Sequence, residues 1–299
     1  MTRRGWVLFA AMGLIWGIPY LFIKIAVSEL TPASLVFLRT AIGAALLLPI
    51  AFARKDLGPL LPHWKWIVAY TLVEVAAPWF FLSDAERRIS SSLSGLLIAL
   101  VPSIGAILAW ATGSDDRLDL RRIAGLGLGF LGVAALVGLD VGAGDIGAVG
   151  EVALVALGYA LGALIIARKL QGLPLFGVVA SSLALAMLAY APVGLAQLPR
   201  SLPSADVIVA VAVLGVICTA FAFLVFFPLV AEVGAARATV ITYVNPAVAL
   251  ALGVVFLKEP LTIGIVLGFV LIVLGSILAT RRTTPARPSV ALSRSPDLL

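Results

Sequence analysis

The sequence predicts an all-α polytopic membrane protein with ten transmembrane helices arranged as two inverted five-helix repeats. Of its 299 residues, 62% are hydrophobic and only 12% are charged, whereas a soluble domain carries about 25% charged residues. About ten apolar runs approach the roughly 20 residues that a helix needs to cross a bilayer. Since backbone polar groups find no water inside a bilayer, these runs are predicted to be helices.

A second observation is that marked positions recur about 143 residues apart. Four pairs keep this offset to within one residue: Pro102 and Pro246, Asp115 and Glu259, Gly125 and Gly268, Gly132 and Gly275. Such an offset predicts an internal repeat. Because each repeat holds an odd number of helices, the second starts on the opposite side of the membrane and is inverted. We expect repeats over 1–140 and 141–282 and a disordered cytoplasmic tail over 283–299.

The predicted spans, in order, are 6–27, 32–53, 64–83, 90–112, 121–139, 147–167, 174–197, 205–228, 235–257 and 262–280. The first run continues to Ile25 and is interpreted as a span, since the apolar core of a signal peptide is shorter. Thirteen lysines and arginines fall on the side of the two termini and five on the other. This asymmetry predicts that both termini lie in the cytoplasm.

The same composition excludes several other functions. The net charge of +6 arises in short loops beside the spans, so we expect no nucleic-acid partner. Cys218 is the single cysteine and His63 the single histidine, and no metal-ligand cluster or cofactor motif is present. An intramembrane enzyme would need a nucleophile with its base, or metal ligands, and we predict neither.

Span 1 carries the first candidate residues. Trp16, Tyr20 and Lys24 are spaced four residues apart and share one helix face, and Pro19 is expected to break the helix beside them. The aromatic pair suits the wall of a small-molecule site, although Trp16 could instead pack on a helix and Lys24 could extend to the outer surface. Tyr159 is the counterpart of Trp16 in the second repeat, and the two are expected to face each other across a central cavity.

Two charged residues fall inside spans 2 and 3. Arg39 could contact a substrate carboxylate or pair with an acid such as Glu29, because arginine in hydrocarbon usually has a partner. Glu74 lies near the middle of span 3, four residues before Pro78, and could contact substrate, carry a coupling proton or form a structural hydrogen bond. Trp79 is expected to line the same cavity or the outer aromatic belt.

Spans 4 and 9 repeat one plan. Pro246 lies on the face of Tyr243, with Asn245 directly before it, and span 4 places Ile98 four residues before Pro102. Proline breaks at matching positions in two repeats indicate a binding site and its gate, although a kink needed only for packing is the alternative. Six glycines are expected to let helices approach closely: Gly125, Gly129, Gly132, Gly264, Gly268 and Gly275.

These features resemble the EamA family of the drug/metabolite transporter superfamily. The resemblance rests on the mid-span prolines, on Lys258-Glu259-Pro260-Leu261 before a glycine-spaced span, and on Trp16-Gly17 in span 1. It departs at Ser114-Asp115-Asp116, where the family has Gly-Glu-Arg. The resemblance implies a ten-helix carrier of the bacterial inner membrane that exports amino acids or related metabolites, as YddG-type exporters do for aromatic amino acids.

The sequence therefore predicts a secondary transporter that exports small metabolites by alternating access through a cavity between the repeats. Amino acids, aromatic ones among them, are the first expectation, and nucleosides, sugars or cationic compounds are the alternatives. A receptor or scaffold is a further alternative. The expected partners are a small-molecule substrate and the lipid bilayer, and we expect a monomer without a cofactor. Proton-coupled and downhill transport both remain open.

Overall fold

The computed structural model describes residues 2–113, 120–140, 142, 145–233 and 239–280. Within these ranges all regular structure is helical. The ten helices are α1 Arg3–Ala26, α2 Pro32–Ala53, α3 Gly58–Ala85, α4 Ser91–Ala111, α5 Leu120–Asp140, α6 Ile146–Lys169, α7 Leu175–Ala196, α8 Ala205–Val233, α9 Ile241–Phe256 and α10 Ile263–Thr280. The first eight are long and apolar enough to cross a membrane, and α9 and α10 are apolar but shorter.

The ten predicted spans are thus confirmed, with shifts at some ends. Helix α3 begins at Gly58 rather than 64, because a 3-10 turn over Gly58–His63 leads into it. Helix α8 continues beyond 228 to Val233. The expected acidic break at Asp115-Asp116, the first residues of span 9 and the tail 283–299 lie outside the described residues.

Successive helices run in opposite directions, which gives the bundle two sides. We call the side where α1 begins the amino-terminal side and the side where α1 ends the far side. Contacts between loops agree with this alternation. On the far side, Lys24 at the end of α1 bonds Ile89 beyond the end of α3. On the amino-terminal side, Arg168 at the end of α6 bonds Thr112 at the end of α4.

Three helices are broken at the expected prolines. The segments on either side of each break are Arg3–Gly17 and Pro19–Ala26 in α1, Ser91–Ile98 and Val101–Ala111 in α4, and Thr239–Tyr243 and Asn245–Phe256 around the break in α9. Pro19, Pro102 and Pro246 each stand in the first turn after a break. Proline lacks an N–H and is tolerated there. The predicted helix breaks are confirmed, and those in α4 and α9 occupy matching positions in the two repeats.

A second matched feature is a π-helical segment in α3 and another in α8. They cover Thr71–Ala76 and Val213–Phe221, which begin 142 residues apart. A π-helical turn shifts the register of the side chains that follow it and is frequent at functional sites. These two segments carry Glu74 in the first repeat and Thr219 in the second.

Helix packing follows a pseudo-twofold axis that exchanges the repeats. Three pairs join equivalent helices: α2 with α7, α4 with α9, and α5 with α10. One further contact has a symmetric copy. Helix α6 packs on α3, and their equivalents α1 and α8 pack on each other in the same way. The two repeats are therefore interleaved rather than side by side.

Helices α5 and α10 approach each other backbone to backbone. A Cβ at Gly125 would lie 2.5 Å from the Ala279 nitrogen, and one at Gly132 would lie 2.9 Å from the Ile272 nitrogen. Side chains at Gly264 and Gly268 would collide with Asp140 and Leu136 of α5, and one at Gly275 would collide with Gly129. The predicted packing role of these glycines is confirmed.

Candidate functional site

Arg39 of α2 lies at the centre of the candidate site. It is buried, with 7% of its surface exposed, and its guanidinium carbon lies 3.6 Å from the centre of the Trp79 ring in a cation–π contact. Its Nε donates to Thr219 Oγ1 over 3.0 Å. Among the described residues, no carboxylate oxygen lies within 4.0 Å of this guanidinium. The suggested pairing with Glu29 is wrong, because Glu29 accepts a hydrogen bond from the Ser204 nitrogen instead.

Two tyrosines complete this centre. Tyr159 of α6 contacts the Trp79 side chain and is an electrostatic neighbour of both Arg39 and Glu74. Tyr20 of α1 is buried and is an electrostatic neighbour of Tyr159 and Arg39. The site therefore combines one cation with aromatic and hydroxyl groups from both repeats.

Glycines of α6 position α3 against this centre. A side chain at Gly158 would collide with the Val73 carbonyl and would lie 3.0 Å from Pro78 Cγ, so the two helices meet only because Gly158 has none. Pro78 is buried in this contact and sits directly before Trp79. Tyr159 follows Gly158, and the close approach therefore brings it to the Trp79 ring.

Glu74 lies about one helical turn before Pro78, in the π-helical segment of α3. Its Oε2 is buried and accepts no hydrogen bond from the described residues. This oxygen lies over Gly162 of α6, where any side chain would collide with it. The structural hydrogen bond that the sequence left open is therefore not formed by this oxygen within the described part of the chain.

The breaks of α4 and α9 converge on one residue of α10. Ser276 Oγ donates to the Ala99 carbonyl at the α4 break over 2.7 Å and lies 3.2 Å from Ser103 Oγ. The Ser276 carbonyl accepts from the Tyr243 hydroxyl at the α9 break over 3.1 Å. Ile98 is the last residue before the α4 break and packs against the main hydrophobic core. The Tyr243 hydroxyl thus joins the α9 break to α10.

Asn245 joins the α9 break to α1. Turned so that its amide nitrogen faces two carbonyls, it donates to Ile241 O over 3.1 Å and to Gly13 O over 3.3 Å. Helix α1 comes close enough because Gly13 and Gly17 lack side chains beside Val244 and Val248. In this arrangement the Asn245 amide satisfies one carbonyl at the break, Ile241 O, and ties the break to α1.

Two of the candidate residues of span 1 contact other helices. The Trp16 ring packs 4.8 Å from Phe226 and 6.2 Å from Phe223 of α8, as in the alternative of packing on a helix. Lys24 is half-buried and contacts the end of α3. Its Nζ donates to the carbonyls of Glu86 (2.5 Å) and Ile89 (2.8 Å), at the C-terminal end of α3 where a cation is favoured.

The far-side end of the bundle contains two acids that sequence reasoning did not single out as functional residues. Glu259 Oε1 accepts from Ser91 N over 2.7 Å, and its Oε2 accepts from Ser92 N over 3.0 Å and from Ser92 Oγ over 2.5 Å, so it caps the start of α4 from the second repeat. Glu86 directly follows α3 and is completely buried. Glu259 could have been found from the sequence, because it recurs 144 residues after Asp115 in the repeat. Glu86 has no such signal and resembles an ordinary loop residue.

Three of the central residues are buried, whereas Glu74 and Tyr159 are half-buried. Arg39, Tyr20 and Trp79 are each at most 9% exposed. A pocket of about 480 Å³ opens at the far-side rim, between α2 and α8, and its lining does not include Arg39. Among the described residues, no group of three or more His, Cys, Asp or Glu side chains could hold a metal ion.

Ten helices in two interleaved five-helix repeats, with matched breaks in α4 and α9, are typical of membrane transporters of the inverted-repeat class. Comparison with known proteins agrees, since the EamA-like transporter family matches residues 3–138 and again 148–281. The chain belongs to that family. Its members are transporters, and we therefore assign it to transporters rather than enzymes.

Several known proteins resemble the chain along most of its length. An uncharacterized transporter of Archaeoglobus fulgidus is 26% identical over 93% of this chain and 99% of its own. The uncharacterized transporter YvbV of Bacillus subtilis is 24% identical over 93% of this chain and 92% of its own. One solved crystal structure, 21% identical, covers 94% of this chain and 97% of its own with a TM-score of 0.66, which supports the fold.

Proposed function

We propose that the protein is a secondary transporter that exports amino acids, aromatic ones among them, by alternating access between the two repeats. The observation that carries the proposal is the presence of two ionisable side chains near Tyr159, the Arg39 guanidinium and the Glu74 carboxyl. Arg39 has no carboxylate within 4.0 Å among the described residues, and Glu74 has a buried oxygen without a hydrogen bond from them. An ionisable group inside the membrane without a partner is costly. The carboxylate of a zwitterion would give Arg39 a partner, and its ammonium would give Glu74 one on binding.

The chemistry of the site favours this substrate class. A guanidinium can hold a carboxylate through two parallel hydrogen bonds, and Glu74 offers an anionic partner for an ammonium group. The Trp79 ring, already stacked on Arg39, and the rings of Tyr20 and Tyr159 offer faces for an apolar or aromatic side chain. A sugar or nucleoside would leave both charges unpaired.

Alternating access is supported by the matched breaks in α4 and α9, both linked to Ser276. In this structure Arg39, Tyr20 and Trp79 are shielded from solvent, and Glu74 and Tyr159 are partly accessible. The distribution of lysine and arginine supports an inner-membrane protein with cytoplasmic termini. The far side would then be the outside of the cell, and export would release substrate there.

The test is flux of radiolabelled amino acids into proteoliposomes of the purified protein, with and without a pH gradient. We expect saturable flux of one class, reduced at least about tenfold in Arg39→Gln because a charge-assisted hydrogen bond is lost. Arg39→Lys should retain part of it. Gly105→Ala on α4 is the control, since a Cβ there meets nothing within 4 Å.

Each outcome bears on a different part of the proposal. Flux without a gradient would indicate a facilitative carrier, and flux only with a gradient would indicate proton coupling. Full flux in Arg39→Gln would show that Arg39 does not bind the substrate and would overturn the proposed site. Flux of nucleosides, sugars or cationic compounds, with none of any amino acid, would leave a carrier and overturn the substrate class.

A further inference from the structure

Glu86 is an unusual acid because it lies at the far-side end of the bundle and is nevertheless completely buried. It directly follows α3, none of its surface is exposed, and neither carboxyl oxygen has a hydrogen-bond partner among the described residues. An ionised carboxylate in such a place would lose its hydration without compensation. Burial of this kind favours the neutral, protonated form of the side chain.

The groups around Glu86 come from every element of the far-side closure. Lys24 and Tyr20 face it from α1, Glu259 from the α9–α10 connection and Arg39 from α2. Burial raises the pKa of Glu86 well above its usual range, Lys24 opposes that rise, and Glu259 adds to it. The Lys24 ammonium is occupied by the carbonyls of Glu86 and Ile89, and among the described residues no cation lies within 4.0 Å of the Glu86 carboxylate.

The closure itself is formed by the far-side segments of three broken helices. The second segment of α1, the first of α4 and the last of α9 pack on one another. The tightest point is Gly95, where a Cβ would lie 2.5 Å from Ala249 Cβ and 3.6 Å from the Tyr20 ring. Opening the far side requires these segments to separate, which would withdraw Lys24 from the end of α3 and expose Glu86 to water.

We propose that Glu86 is a proton-binding site that controls the far-side gate, which is sealed when Glu86 is protonated and opens when it ionises. The inference rests on the alternating access proposed above but not on the identity of the substrate. It assigns to Glu86, rather than to Glu74, the proton that is linked to this gate. A proton bound from the far side would therefore close that side.

Linkage gives the sign and size of the effect. In the open state, water surrounds the carboxyl and its pKa returns to about 4.3, whereas the sealed state holds the proton to higher pH. Between these two values the sealed state binds one more proton than the open state. The ratio of open to sealed molecules should therefore rise with pH, by up to about tenfold per pH unit.

The first experiment follows the infrared carbonyl band of protonated carboxyls in nanodiscs from about pH 5 to about pH 9, the range in which a buried glutamic acid titrates. We expect a band that disappears with rising pH and is missing in Glu86→Gln. Glu29→Gln, which removes an exposed far-side carboxylate, should keep it. Loss of this band in Glu74→Gln instead, or its absence in the wild type, would overturn the proposal.

The second experiment measures amide hydrogen exchange of Pro19–Ala26 and Ser91–Ile98 over the same range, corrected for the intrinsic effect of pH. Exchange should rise with pH in the wild type and in Glu86→Asp, which keeps a titrating group, but not in Glu86→Gln. A pH-independent wild type, or an unchanged response in Glu86→Gln, would overturn the proposal. Neither experiment needs a substrate, so a failed flux assay would not affect them. If Glu86→Gln does not fold, the pH dependence of the wild-type infrared band and of the wild-type amide exchange tests the proposal.

Discussion

Of the three pairs that join equivalent helices of the two repeats, the α5–α10 pair and the α4–α9 pair are built in opposite ways. Helices α5 and α10 are unbroken and meet backbone to backbone at glycines such as Gly125. Helices α4 and α9 are broken at matching positions, and a side chain at Gly95 would meet a methyl group of α9 rather than its backbone. Direct backbone contact leaves no side chain to rearrange, so we infer that α5 and α10 form the fixed part of the transporter and α4 and α9 the moving part.

The largest expected effect comes from disturbing the fixed pair. Gly125→Val on α5 would drive a Cβ to 2.5 Å from the Ala279 nitrogen, and backbone cannot make room. We expect a loss of about 3 kcal/mol in the free energy of unfolding, measured in a detergent titration. Gly127→Val, two residues away, meets nothing within 4 Å and should change stability by less than about 0.5 kcal/mol. Equal effects of the two changes would refute the proposed packing.

The polar anchor of the moving pair should give the next largest effect. Glu259→Ala removes the acceptor of three hydrogen bonds at the start of α4. We expect a loss of about 2 kcal/mol, because bonds to a charged group are lost and two backbone N–H groups are left without a partner. Thermal unfolding in nanodiscs measures it, and Glu259→Gln should lose less. An unchanged midpoint in Glu259→Ala would mean that water replaces the cap.

A smaller effect is expected where α4 meets α9. Gly95→Ala adds a methyl group against Ala249, and the side-chain contact can give way by a slight movement of α9. The cost should be about 1 kcal/mol, with faster amide exchange in Asn245–Phe256. Gly105→Ala on the same helix meets open space and should instead be neutral or stabilising by up to about 1 kcal/mol. A stabilising Gly95→Ala would contradict the tight closure.

The smallest effect concerns the α1–α2 and α7–α8 loops, outside both pairs. Hydrogen bonds from the side chain and backbone of Ser204 lower the pKa of Glu29. The contact is therefore complete above the ordinary pKa of a carboxyl and is lost as pH falls through the lowered value. Exchange of the Ser204 amide should accelerate only in acid, whereas Glu29→Gln should show fast exchange at every pH. Acid-independent exchange in the wild type would argue against this bond.

Much of the difference between the broken helices and the closely packed helices could be predicted from the sequence. The prolines at 19, 102 and 246 predicted the three breaks, because their missing N–H acts through the local backbone alone. The glycines of spans 5 and 10 predicted close packing, because their spacing repeats in both halves. Both signals are local, and neither depends on which helices become neighbours.

The site was less predictable, because it depends on neighbours distant in sequence. Glu86 sits in a charged stretch between two spans, and its neighbours Lys24, Arg39 and Glu259 come from elements distant in sequence. Lys24 looked free to extend outward, but it binds the end of α3. Nothing in the composition of Thr71–Ala76 or Val213–Phe221 indicated a π-helical turn, although their matched positions are evident once the structure is known.

The most direct test of a fixed and a moving pair measures two distances in one protein by double electron–electron resonance. Spin labels at the exposed positions Leu120 and Ile263 report on α5 and α10, and labels at Trp110 and Phe256 report on α4 and α9. The measurement is made in nanodiscs with Cys218 replaced by alanine, with and without the amino acid of highest flux. We predict one unchanged distance for the first pair and a shifted or split distribution for the second. Movement of the first pair together with the second, or a rigid second pair, would contradict the account.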